Sequence, residues 1–156
     1  MEKGQQLDLF ELEESIIHED ISRQYEILHS AFLVDCSDET IQKILVMVEK
    51  HLNVDYGVPG PIVFFIEDCY KEIPLKKYEQ FVINALFLHP SPVVISLLGR
   101  LINKSYYEGI TLDREITDAI KLVLSKGVLH GSLDNELRNL LHQAEIRRMF
   151  DASQEE

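Results

Sequence analysis

The sequence predicts an all-α fold of about seven helices in antiparallel hairpins, either stacked in the manner of HEAT repeats or closed into a compact orthogonal bundle. Three observations carry this. Apolar residues recur at helical spacing along nearly the whole chain, sustained two-residue alternation occurs nowhere, and Pro, Gly and capping residues punctuate the apolar runs at helix-like intervals.

The first segment, about Leu7 to Leu33, places Ile17, Ile21, Tyr25, Leu28 and Phe32 on one stripe, and the pattern admits a break near His18. After Asp35 to Ser37 a second helix starts with Ser37 or Asp38 as N-cap, a side-chain oxygen taking an orphan backbone N–H. It should bury Ile41, Leu45, Val48 and Leu52. Asn53 to Gly60 reads as a loop.

The next stretch, YGVPGPIVFFIEDCY, could begin either a buried strand or a core helix. Two features favour the helix. Pro61 costs nothing at the first helical position, where its missing N–H would have been unpaired, and Cys69, Tyr70 and Ile73 return to the face of Ile62, Phe65 and Ile66. Glu67 and Asp68 are its first wet positions.

Pro74 ends that run. A fourth helix from about Leu75 to Leu88 carries Tyr78, Phe81, Val82, Ala85 and Leu86 at core spacing, and His89 to Pro92 closes it. Ser91 and Pro92 then repeat the capped proline start, and Val94, Leu97, Leu98, Leu101 and Ile102 form the cleanest stripe in the chain. A loop is expected over Lys104 to Leu112. The sixth helix, capped by Asp113, buries Ile116, Ile120, Val123 and Leu124 and stops at Gly127, which suits the left-handed C-terminal position. The seventh begins at Ser132 and buries Leu133, Leu137, Leu140, Leu141 and Ala144. The chain thus divides into one helical domain over residues 1–150 and a frayed acidic tail over 151–156. Pro61 and Pro92 lie 31 residues apart, in keeping with hairpins that stack.

The chain is 46% hydrophobic and 27% charged, a globular mix. No apolar run approaches the ~18 residues that span a bilayer, and the acidic first twenty residues do not resemble a signal peptide, so the expected location is cytoplasmic. Cys36 and Cys69 show no paired-cysteine spacing, and both are expected as reduced thiols, Cys69 as a small core residue.

Charge is the most uneven feature. The net charge is −12, and residues 1–40 hold 11 acids against Lys3 and Arg23. Such a field repels nucleic acid and anionic membranes, and it speeds encounter with basic proteins. Neither nucleic acid nor membrane is expected as a partner. The cluster Glu11, Glu13, Glu14, Glu19 and Asp20, with Phe10 as an apolar anchor, is the candidate partner-binding surface. Its bland alternative is a solvated helix face that keeps the chain soluble.

Catalytic signals are absent. The chain has no P-loop, no GxGxxG, no HExxH and no GxSxG, and its six histidines lack metal-ligand spacing. Glu67 and Asp68 are adjacent, so they point about 100° apart on a helix and read as a solvated edge rather than an acid-base pair. The expectation is no enzyme, no cofactor, no metal and no small-molecule substrate.

The succession PGPIVFFIEDCY, YEQFVINAL and PSPVVISLLGRLIN resembles a family of bacterial immunity proteins, antidotes to polymorphic toxins. There a proline-glycine-proline entry leads an apolar helix ending in Phe-Ile-Glu, here Phe65 to Glu67. A downstream Pro-x-Pro, here Pro90 to Pro92, starts a helix ending in Arg-x-x-Asn, here Arg100 to Asn103. The likeness covers about residues 56–104, and Phe64 departs from it where a more polar residue is usual. It implies a non-enzymatic inhibitor that neutralises one cognate basic toxin, often a nuclease, by stoichiometric contact. The acidic N-terminal part lies outside it. Two rivals stand beside that reading: a helical-repeat scaffold with several partners, and an enzyme using Glu67, Asp68 or His89.

Overall fold

The computed structural model describes residues 6–32, 35–57, 59–108, 114–129 and 131–154, with side chains placed for all of these except 105–107, 148 and 150–154. Eight helices and no strand occur among the described residues: α1 (Leu9–Ile17), α2 (Ile21–Ala31), α3 (Asp38–Glu49), α4 (Pro61–Cys69), α5 (Leu75–Leu88), α6 (Pro92–Glu108), α7 (Arg114–Ser125) and α8 (Ser132–Gln154). Among them no helix is long and apolar enough to cross a membrane. The chain forms two compact units, one running to Pro74 with Ser91–Val93 and one holding Leu75–Pro90 and the chain from Val94 onward.

In the first unit, the segment expected over Leu7 to Leu33 forms two helices, α1 and α2, parted at the break that its pattern admits near His18. Asp8 caps α1 by accepting the Glu11 N–H at 3.1 Å, and Asp20 caps α2 by accepting the Arg23 N–H at 3.1 Å. The break between them rotates the apolar stripe. Leu12, Ile16, Ile27, Leu28 and Ala31 are buried, whereas Ile17 and Tyr25 of the expected stripe are exposed, because a stripe read across the break loses phase at His18 to Asp20.

α3 starts as expected from Ser37, whose hydroxyl accepts the Thr40 N–H at 3.2 Å. Ile41, Ile44, Leu45 and Val48 are at most 1% exposed, while Leu52 falls in the turn beyond the helix and is half-buried. α4 begins at Pro61 with Gly60 as N-cap, so IVFFI is helix rather than strand. Ile62, Val63, Phe65 and Ile66 are all buried, and each such side chain contributes about 1.5–3 kcal/mol relative to an exposed one. Tyr70 ends the helix, leaving Ile73 41% exposed and off the expected face. Edge-to-face packing of Phe32 on Phe65, with centroids 6.4 Å apart, links the end of α2 to α4.

One expectation is overturned outright. Cys36 and Cys69 are joined in a disulfide with their Cα atoms 5.3 Å apart, although 33 residues separate them in sequence. Cys36 is exposed and Cys69 half-buried, so neither is a reduced thiol or a fully enclosed core residue. Spacing along the chain cannot report this, since the pairing depends on where the α2–α3 connection meets the end of α4.

In the second unit Tyr78, Val82, Ala85 and Leu86 of α5, Val94, Leu97, Leu98, Leu101 and Ile102 of α6, and Ile116, Ile120, Val123 and Leu124 of α7 are buried as expected, whereas Phe81 of the expected α5 stripe is only half-buried. α6 runs on to Glu108, through part of the loop expected from Lys104, and Asp113 with the rest of that loop lies outside the described residues. α7 ends as expected, with Gly127 at φ 62°. In α8 Leu133, Leu137 and Ala144 are buried, Leu140 and Leu141 are half-buried, and the helix continues to Gln154 past Asp151, where fraying was expected.

Candidate functional site

The acidic N-terminal region is built on the α1–α2 turn. Glu19 has φ 52°, the left-handed conformation that favours Gly, and it sits at the helix-end position where that conformation closes the ladder. The Glu19 N–H bonds the Ile16 carbonyl at 3.0 Å and the Asp20 N–H bonds the Ser15 carbonyl at 2.8 Å. This pair of bonds satisfies carbonyls that α1 would otherwise leave bare.

Each of the five predicted carboxylates then finds a partner within the fold. Glu11 pairs with the Arg23 guanidinium, which also donates to Glu26 at 3.0 Å. Glu13 meets the His51 ring at 3.1 Å, Glu14 lies 3.6 Å from His18, Glu19 accepts the Asp55 N–H at 2.9 Å, and Asp20 is the cap of α2. The two acidic neighbours raise the Arg23 pKa, the hydrogen bond to Glu11 most of all. Glu13, Glu19 and Asp20 therefore have structural duties that the sequence reading did not assign.

These contacts do not remove the field. Backbone N–H groups carry no net charge, and Arg23 is the one permanently charged base among the partners just named. The first unit holds 16 acids against five bases, giving −11 of the chain's −12. The negative charge belongs to one unit of the molecule.

Beside α1 this unit carries a groove of about 650 Å³ against α3. Leu9, Phe10, Val46 and Met47 supply its apolar lining, and Glu13, Glu39, Lys43 and Lys50 its charged edge, with Lys43 held 3.1 Å from Glu39. Phe10, the predicted anchor, is 73% exposed there and Val46 is 42% exposed. The contribution of α3 was missed. Its sequence signal is Val46 and Met47, apolar residues off the Ile41, Leu45 and Val48 stripe.

No group of three or more His, Cys, Asp or Glu that could hold a metal occurs among the described residues. Glu67 is half-buried and Asp68 exposed at neighbouring positions of α4, and His89 is half-buried after α5. No protein family, curated protein or solved structure matches this chain.

Proposed function

We propose that this protein is a non-enzymatic binding protein of the immunity type, which neutralises a cognate basic toxin domain by stoichiometric contact through its acidic first unit. The observation that supports this best is the concentration of −11 in one unit that also exposes Phe10 over an apolar groove. A cleft that holds phosphates must be basic, and a preformed negative surface fits it. Long-range attraction speeds the encounter, and burial of an aromatic anchor slows release. Glu13, Glu19 and Asp20 position the surface, and the steering charge is the unit's net −11, to which the exposed Glu14, Glu26 and Glu39 contribute, Glu26 and Glu39 from surface ion pairs with Arg23 and Lys43.

The test is to search the neighbouring genes for a basic toxin domain and, with such a domain as the ligand, to follow association and dissociation at low and high salt. Replacing Glu14, Glu26 and Glu39 by Lys is expected to lower the association rate tenfold or more at low salt, with the difference fading as salt screens it. Phe10→Ala is expected to raise the dissociation rate about thirtyfold, equivalent to ~2 kcal/mol, with stability unchanged. Unchanged rates in both variants would remove this unit as the docking surface.

A further inference from the structure

We propose that Cys36 and Cys69 form a reversible thiol–disulfide exchange site, a clasp that small-molecule thiols open and small-molecule disulfides close in the folded protein. Three observations carry it. The bonded pair joins the residue before the Ser37 cap of α3 to the last residue of α4, closing a loop of 33 residues. Cys36 is exposed while Cys69 is half-buried, so the Cys36 end of the bond is the one nearer solvent and the one an incoming thiol meets first. The chain holds only these two cysteines, so no third thiol competes within it and the protein has two intramolecular redox states.

The surroundings hold the same junction without the disulfide. The Tyr70 hydroxyl donates to the Asp38 carboxylate at 3.0 Å, one residue beyond Cys69 and two beyond Cys36. Asp35, on the other side of Cys36, accepts the Leu7 N–H at 3.2 Å and the Thr40 hydroxyl at 2.5 Å. Phe32 packs on Phe65 just before the clasp. Opening therefore releases a covalent constraint on the unfolded chain and leaves α3 and α4 anchored.

The exchange balances with thiols as reductant. A small-molecule thiolate attacks the Cys36 Sγ, the S–S bond breaks, and its electron pair leaves on the Cys69 Sγ, which takes a proton. A second thiolate attacks the small molecule's sulfur in the mixed disulfide, releasing the small-molecule disulfide and the Cys36 thiolate, which takes a proton. Two electrons pass to the protein, and closure by the small-molecule disulfide reverses both steps.

The full-length protein is equilibrated in native buffer with mixtures of reduced and oxidised glutathione, then acid-quenched, and its thiols are counted by maleimide labelling after unfolding. Melting is followed at each ratio. The clasp is expected to be closed in excess oxidised glutathione and open in excess reduced glutathione. Opening should lower Tm by roughly 10 °C with the helical circular dichroism retained. Cys36→Ser should melt like the open protein at every ratio. Thiols that stay free in excess oxidised glutathione would overturn the proposal, as would a bond that reduced glutathione opens only in denaturant, an opening that unfolds the chain, or equal Tm values in the two states. Should Cys36→Ser fail to fold, the wild-type series alone decides.

Discussion

The Glu19 carboxylate accepts the backbone N–H of Asp55 at 2.9 Å while Glu19 itself holds φ 52° at the end of α1. One residue thus closes a helix and ties it to the loop that leads to α4. Strain and hydrogen bond act in opposite directions. Glu19→Ala loses the bond and keeps the strain, so it is expected to cost about 1.5 kcal/mol. Glu19→Gly also loses the bond but relieves the left-handed conformation, recovering about 1 kcal/mol of that. Urea unfolding should rank wild type above Glu19→Gly and Glu19→Ala last. A glycine variant weaker than the alanine variant would mean that the αL position is not strained.

Gly60 and Gly127, each at a helix end, differ in what surrounds them. At Gly60, φ 90°, an added Cβ would come within 1.7 Å of the Tyr56 carbonyl oxygen, whereas at Gly127, φ 62°, it would meet nothing within 4 Å. Gly60→Ala therefore combines strain with a backbone collision that no side-chain rotation relieves, and it is expected to cost at least about 3 kcal/mol. Gly127→Ala should cost about 1 kcal/mol. Denaturant midpoints compare the two, and equal losses would contradict the close approach of Tyr56 to Gly60.

Tyr56 should make stability fall in alkali. It is 5% exposed, its hydroxyl donates to the His51 carbonyl at 2.7 Å, and burial pushes its pKa well above the usual tyrosine value. Tyr70 is shifted the same way by burial and then by its bond to Asp38. A raised folded-state pKa stabilises the fold below the unfolded value of about 10, where both states are protonated, and that contribution is lost as pH rises beyond it, since the unfolded chain releases its protons first. Stability should be flat in these groups up to about pH 9 and then fall, by at most about 1.4 kcal/mol per pH unit for Tyr56. Tyr56→Phe should lose about 1 kcal/mol at neutral pH and show a shallower alkaline fall. An identical alkaline slope in that variant would show that Tyr56 does not carry the effect.

Where the sequence reading succeeded and failed follows from the range of the forces involved. Pro61 at the first position of α4, the Ser37 cap of α3 and Gly127 after α7 are decided within a few residues, and each is legible as written. The break near His18 was admitted by the pattern, but the stripe over Ile17 and Tyr25 failed because Glu19 adopts a left-handed conformation that a non-glycine residue rarely takes, so the letters did not give the change of phase across it. Phe10 was legible as an exposed aromatic among acids. The wall opposite it, Val46 and Met47, was not.

By itself the chain determined that it would be helical, where most helices begin and end, and that its negative charge would crowd toward one end, because apolar period, capping and charge counts are local properties. Only the tertiary structure decided which groups would be joined. Glu13 meets His51 38 residues away, Glu19 reaches Asp55 across 36, and Cys36 bonds Cys69 across 33. Such pairings depend on how whole helices pack, and a shift of one turn, about 5.4 Å, is enough to part them.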